Sequence, residues 1–240
     1  MSAVGLKNMG FLDVKDANGT VVYGGSQYWY PKGEFFAGGA CGATTAANIL
    51  AYILRSRHEL LLIANASGLG GLAEPTPETG APGENIAAND KTGYIGFMKT
   101  VYRYFSPSMI GLHFPWFVKG VARIAKERDL PVSAVFLNVP LWRPGRSDFS
   151  KTAGFIRASL DEDIPVAFLA LSTGGVENLY KWHWVTIIGL DEDNKRVKVL
   201  DNTKTSWTDL GRWLSKSVLG GTFVRITVPD GAENKNKVIQ

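Results

Sequence analysis

The chain reads as an α+β protein, helical through its first half and built of antiparallel strands through its second. Apolar residues recur at helical spacing over 42–57, 93–105 and 114–130. Alternating or β-branched runs occupy 132–139, 183–202 and 221–228. The two kinds of segment are segregated along the chain, which favours α+β over a strand–helix alternation.

Residues 1–40 are rich in glycine and aromatics. "TVVYGG" is a short strand and "SQYWYPKGEFFAGGA" an ordered loop. From Gly42 the pattern becomes helical, with Ile49, Leu50, Ile53 and Leu54 on one stripe and alanines between them, and it extends as far as Ile63. Residues 65–90, dense in Gly, Pro and Thr, cannot hold a regular element and read as one long flexible loop. Helices follow over 93–105 and 114–130, the second with Pro115 near its start, and then a strand over 132–139. "DFSKTAGFIRASLDEDIPVAFLALS" is a helix broken by "DEDIP" before a strand. "HWVTIIGLDEDNKRVKVLDN" is a β-hairpin turning at "DEDNK", with Val197, Val199 and Asp201 alternating on its second strand. A short helix at 208–218, a strand at 221–228 and a frayed tail over 231–240 complete the chain.

The 45% hydrophobic and 20% charged composition is that of a folded globular domain, so disorder is not the default. A net charge of +4 with interspersed signs argues against nucleic acid. No apolar run reaches the roughly 20 residues of a membrane helix. The first residues lack the apolar core of a secretory signal, so a cytoplasmic location is expected, with secretion left open. One cysteine makes no internal disulfide, and with three scattered histidines it makes no zinc site. The "DED" clusters lack calcium-loop spacing, and no phosphate-binding loop is present. No cofactor or metal is expected.

The lone cysteine, Cys41, lies in "FFAGGACGATTAANILAY" among small residues at the mouth of a helix. A solitary cysteine is often just a small core hydrophobe. At a helix N-terminus, however, free N–H groups and the dipole favour a thiolate and can face an oxyanion. Such a nucleophile needs a base. His58 is about 25 Å along the same helix at ~1.5 Å per residue, and His113 sits in an aromatic stretch without a polar partner. His183 opens the hairpin, and Asp201 or Asn202 on the neighbouring strand can fix its tautomer.

"ACGATTAANILAY" resembles the nucleophile helix of the papain-like cysteine peptidases, the C39-like peptidases in particular. "FIRASLDEDIPVAFLAL" and "HWVTIIGLDEDNKRVKVLDN" are similar to the helix–strand unit and the histidine hairpin of that family, in the same order. The resemblance spans about a quarter of the chain. It implies one papain-like domain over 1–230, with a helical lobe and an antiparallel sheet lobe meeting at a cleft. It also implies a cysteine peptidase that acts on a peptide or protein through a Cys41 thioester, with His183 as base and acid and Asp201 orienting it. Asn202 is the alternative, since papain itself uses asparagine there. The family's oxyanion glutamine falls on Phe35, and Ala43 stands where proline is frequent. Gln27, the sole internal glutamine, is the candidate replacement. A transglutaminase-like acyltransferase and an inactive papain-fold binding module are the rival readings, and the oligomeric state is open.

Overall fold

The computed structural model describes residues 3–31, 39–75, 87–105, 112–141 and 148–229 of the 240. Phe35, the middle of the 65–90 segment and the 231–240 tail lie outside the described residues.

Six α-helices and ten strands are described: β1 Val4–Gly5, β2 Asp13–Lys15, β3 Val21–Tyr23, α1 Cys41–Ser56, α2 His58–Ala66, β4 Asn89–Asp90, α3 Lys91–Phe105, α4 Phe114–Glu127, β5 Ser133–Val139, α5 Phe149–Asp161, β6 Val166–Ala170, β7 His183–Asp191, β8 Arg196–Asp201, β9 Lys204–Asp209, α6 Leu210–Lys216 and β10 Gly221–Thr227. This is the expected α+β class. The main sheet runs β5-β10-β6-β7-β8-β9, every pair antiparallel, with β1 added to the far end of β7. A small second sheet, β3-β2-β4, has one parallel pair, β2 with β4.

The main sheet is covered on both faces, which explains why β6, "VAFLA", is apolar at every position. Alternation still sorts its side chains. Ala167 and Leu169 pack with α1, α3 and α4, whereas Val166, Phe168 and Ala170 pack with α5 and α6. α1 is central: every residue from Cys41 to Arg55 is buried, in keeping with a helix that is apolar all round. Polar caps mark the later helices. Asp148 accepts from Lys151 N at 2.8 Å to start α5, and Asp209 accepts from Arg212 N at 2.8 Å to start α6. Among the described residues no helix is long and apolar enough to cross a membrane.

Two expectations are corrected. The first helix does not run unbroken to Ile63: Arg57, at φ −130° and ψ 92°, separates α1 from α2. The bounds of the 65–90 loop also change, because its described ends join regular elements and the core. α2 continues to Ala66, Leu69 and Leu72 are buried, and Asn89 enters the small sheet. Arg55 explains the anchoring. Its buried guanidinium donates to the carbonyls of Gly10 (3.1 Å), Phe11 (2.9 Å), Ala73 (3.1 Å) and Ala87. Asn89 adds a bond from Ala73 N and one to Asp13 O, each 3.0 Å.

Candidate active site

Cys41 is the first residue of α1 and is 6% exposed. The preceding Ala40 offers no side chain to cap the helix. The N–H groups of the first turn, which have no partner within the helix, lie beside the sulfur. A close approach sets the position of this turn. A Cβ on Gly42 would lie 2.7 Å from Leu112 Cδ2 and 3.0 Å from Trp184 Cδ1. Trp184 is fixed in turn, donating its indole N–H to Leu112 O at 2.6 Å and stacking on Phe117 at 4.7 Å. Glycine at 42 thus lets the mouth of α1 settle onto β7 beside the residue before Trp184, which is His183.

β7 pairs with β8 with Thr186 opposite Leu200, so the antiparallel register brings the start of β7 to the end of β8. There His183 Nε2 lies 2.9 Å from Asp201 Oδ1, with side-chain exposures of 12% and 22%. Burial alone would lower the affinity of the imidazole for its proton. The bond to Asp201 and the nearby Cys41 side chain outweigh it and raise the pKa to about 10. The Tyr180 and His183 rings stand perpendicular to each other with their centroids 5.8 Å apart.

No protein-family model and no curated protein matches this chain.

Asn202 does not face away from Asp201, as strand alternation would have it. β8 ends at Asp201, and Asn202 (φ 46°) with Thr203 (φ 72°) forms a two-residue hairpin loop into β9. In that left-handed conformation its side chain folds back. Nδ2 donates to Asp201 Oδ1 at 2.8 Å, while Oδ1 accepts from Ser26 Oγ and Gln27 N, each at 3.0 Å. Asp201 contacts the imidazole, and Asn202 ties Asp201 to the segment that carries Gln27.

Gln27 opens a short 3-10 turn, Gln27–Trp29, which Ser26 caps by accepting from Tyr28 N at 3.2 Å. The turn is pinned to α1 through Asn48, whose Oδ1 accepts from Gly25 N at 2.8 Å and from Tyr94 Oη at 3.0 Å. Gln27 is 8% exposed, its Oε1 has no partner, and it shares one small cavity with Cys41, Asp201 and Asn202. All five sequence-derived candidates, Cys41, His183, Asp201, Asn202 and Gln27, therefore converge. His58 begins α2 and His113 precedes α4, both exposed and on other elements.

Sequence reasoning missed the clamp made by Asn202, the pinning by Asn48, and a larger cleft of about 530 Å³ next to the small cavity. Tyr28, Tyr180 and Lys204 help to line that cleft. The turn signal was present in "DNTK", where Asn precedes a polar strand; the other two depend on residues far apart in sequence.

Proposed function

We propose that this chain is a cysteine hydrolase with a papain-like, C39-like architecture that cleaves a peptide or amide bond through a thioester on Cys41. The observation that carries the reading is a lone cysteine at a helix N-terminus without a side-chain cap, beside a histidine held by a half-buried carboxylate. A central helix packed on an antiparallel sheet that carries the histidine strand supports the architecture.

The chemistry follows from these positions. With Nε2 committed to Asp201, Nδ1 is the ring nitrogen left for the thiol, and the pair reacts as thiolate and imidazolium. The sulfur adds to the substrate carbonyl carbon, and the oxyanion is held by the Cys41 N–H and the Gln27 side-chain amide. As the C–N bond breaks, the imidazolium gives its proton to the leaving amine. Neutral His183 then takes a proton from water, the hydroxyl adds to the thioester, and release of the carboxylic acid restores the thiolate–imidazolium pair.

Alkylation tests the reading. Iodoacetamide should modify Cys41 near pH 6 faster than a model thiol, and His183→Ala should abolish the excess. Equal rates in the two proteins would reduce Cys41 to an ordinary cysteine. Product masses with and without added amine separate hydrolysis from acyl transfer.

A further inference from the structure

We propose that the cleft beside His183 holds the leaving half of the substrate and selects one that carries a carboxylate, with Lys204 as the counter-charge and Tyr28 and Tyr180 as aromatic walls. This inference rests on the hydrolase reading and names the class of substrate within it: short peptides whose departing portion is anionic.

The cleft's position assigns the half. Its volume, about 530 Å³, is within the range of small-ligand sites. Among the described residues it is lined by Gln27 and His183 but not by Cys41, which lines the smaller cavity. The acyl half must be bonded to the Cys41 sulfur, whereas the leaving amine must meet the imidazolium that protonates it. A space that begins at the imidazole and excludes the thiol therefore belongs to the leaving portion.

Charge assigns the class. The acid on the cleft wall is Asp201, and its Oδ1 is taken by His183 and Asn202. Lys204 stands opposite Asp201 in the β8–β9 register, is exposed, and makes no ion pair with a described residue. Among the charged groups that line the cleft, His183 and Asp201 are paired with each other and the Cys41 sulfur lines the smaller cavity, which leaves the Lys204 ammonium as the cleft-lining charge without an ion-pair partner among the described residues. Tyr28 and Tyr180 are 72% and 64% exposed, so both rings are open to a ligand in the same space. Rings in such a wall offer wide contact at small cost in side-chain freedom.

Binding to the Cys41→Ala chain tests this without catalysis, using three peptides that span the site. They are acetyl-Ala-Phe-Ala with a free C-terminus, its C-terminal amide, and acetyl-Ala-Phe-Glu as the C-terminal amide. The first against the second reads a terminal carboxylate; the third against the second reads an acidic side chain. Calorimetry at low salt should give one or both anions an advantage of about 2- to 5-fold, the scale of an exposed ion pair. That advantage should shrink in 0.5 M salt, vanish in Lys204→Met and reverse in Lys204→Glu. Equal affinities for all three peptides, or an advantage that survives Lys204→Glu, would overturn selection by Lys204. If the native chain still cleaved the amide, the hydrolase reading would stand. A Lys204-dependent preference with no Cys41-dependent cleavage of any peptide would overturn the leaving-group assignment together with the hydrolase reading.

Discussion

Removing the Asn202 side chain should weaken both the fold and the site, and the two effects can be separated. Asn202 makes one bond to a carboxylate and two to neutral donors, all part-buried. At the lower end of the usual ranges, about 1.5 kcal/mol for the first and about 0.5 for each of the others, the loss is about 2.5 kcal/mol. Asn202→Gly removes these bonds but accepts the φ of 46° freely. Asn202→Ala removes them and adds about 1 kcal/mol for a Cβ in the left-handed region. Urea unfolding followed by tryptophan fluorescence should thus rank wild type, Gly and Ala in falling order. Turnover should drop at least about tenfold in both variants, because Asp201 and Gln27 lose their common tether. Thr203→Gly serves as the control. A β-branched residue at φ 72° is strained, so this change should stabilise the hairpin by up to about 1 kcal/mol with the clamp intact. If Asn202→Gly unfolded at the wild-type midpoint and turned over at the wild-type rate, the clamp would be a contact without consequence.

Raised to about 10, the pKa of His183 keeps the imidazole charged through neutrality. Its contribution to stability is therefore full below about pH 6.5 and is lost as pH climbs from there through 10. Unfolding free energies should fall over that window in wild type more than in His183→Gln, and imidazole NMR shifts should titrate near 10, moving down in Asp201→Asn. Gln27→Ala should cut acylation by about 10²-fold while leaving the rate of Cys41 alkylation nearly unchanged, and parallel losses would remove Gln27 from the oxyanion site. Gly42→Ala should cost about 1–2 kcal/mol, overpacking against Leu112 and Trp184 exceeding the gain in helix propensity, with an unchanged melting temperature as the contrary result.

The legible parts of the fold were those with a local signature. The helix–strand unit of α5 and β6 and the β7–β8 hairpin emerge from caps, turn residues and period-2 runs. β1, β2 and β4 are two or three residues long and carry no period at all. β9, "KTSWTD", is a largely exposed edge strand, polar enough to pass for loop. The break at Arg57 falls inside "ILRSRHELLLI", with neither Gly nor Pro to mark it. At the site, Cys41 and His183 could be found because the chain has one thiol and three imidazoles. Gln27 came only by elimination. The Asn202 clamp was not legible, because β8 ends at Asp201 and the side chain of Asn202 folds back from a left-handed turn that strand alternation does not describe.

The reach of the Asn202 bonds sets a clock on biosynthesis. Gln27 leaves the ribosome early, yet its partner at 202 lies 175 residues downstream. At about 5–20 residues per second, that separation is roughly 9–35 s of translation. Through most of that interval Cys41 exists without His183 and Asp201; the 10–25 segment can already dock on α1 and β4, whereas β1 waits for β7 and the Ser26–Gln27 turn waits for Asn202. Long-range closure of this kind is also the slow step expected in refolding from denaturant. A nascent chain interrupted before the last third therefore carries a thiol with none of its partners, and the site comes together only once the β8–β9 hairpin has emerged.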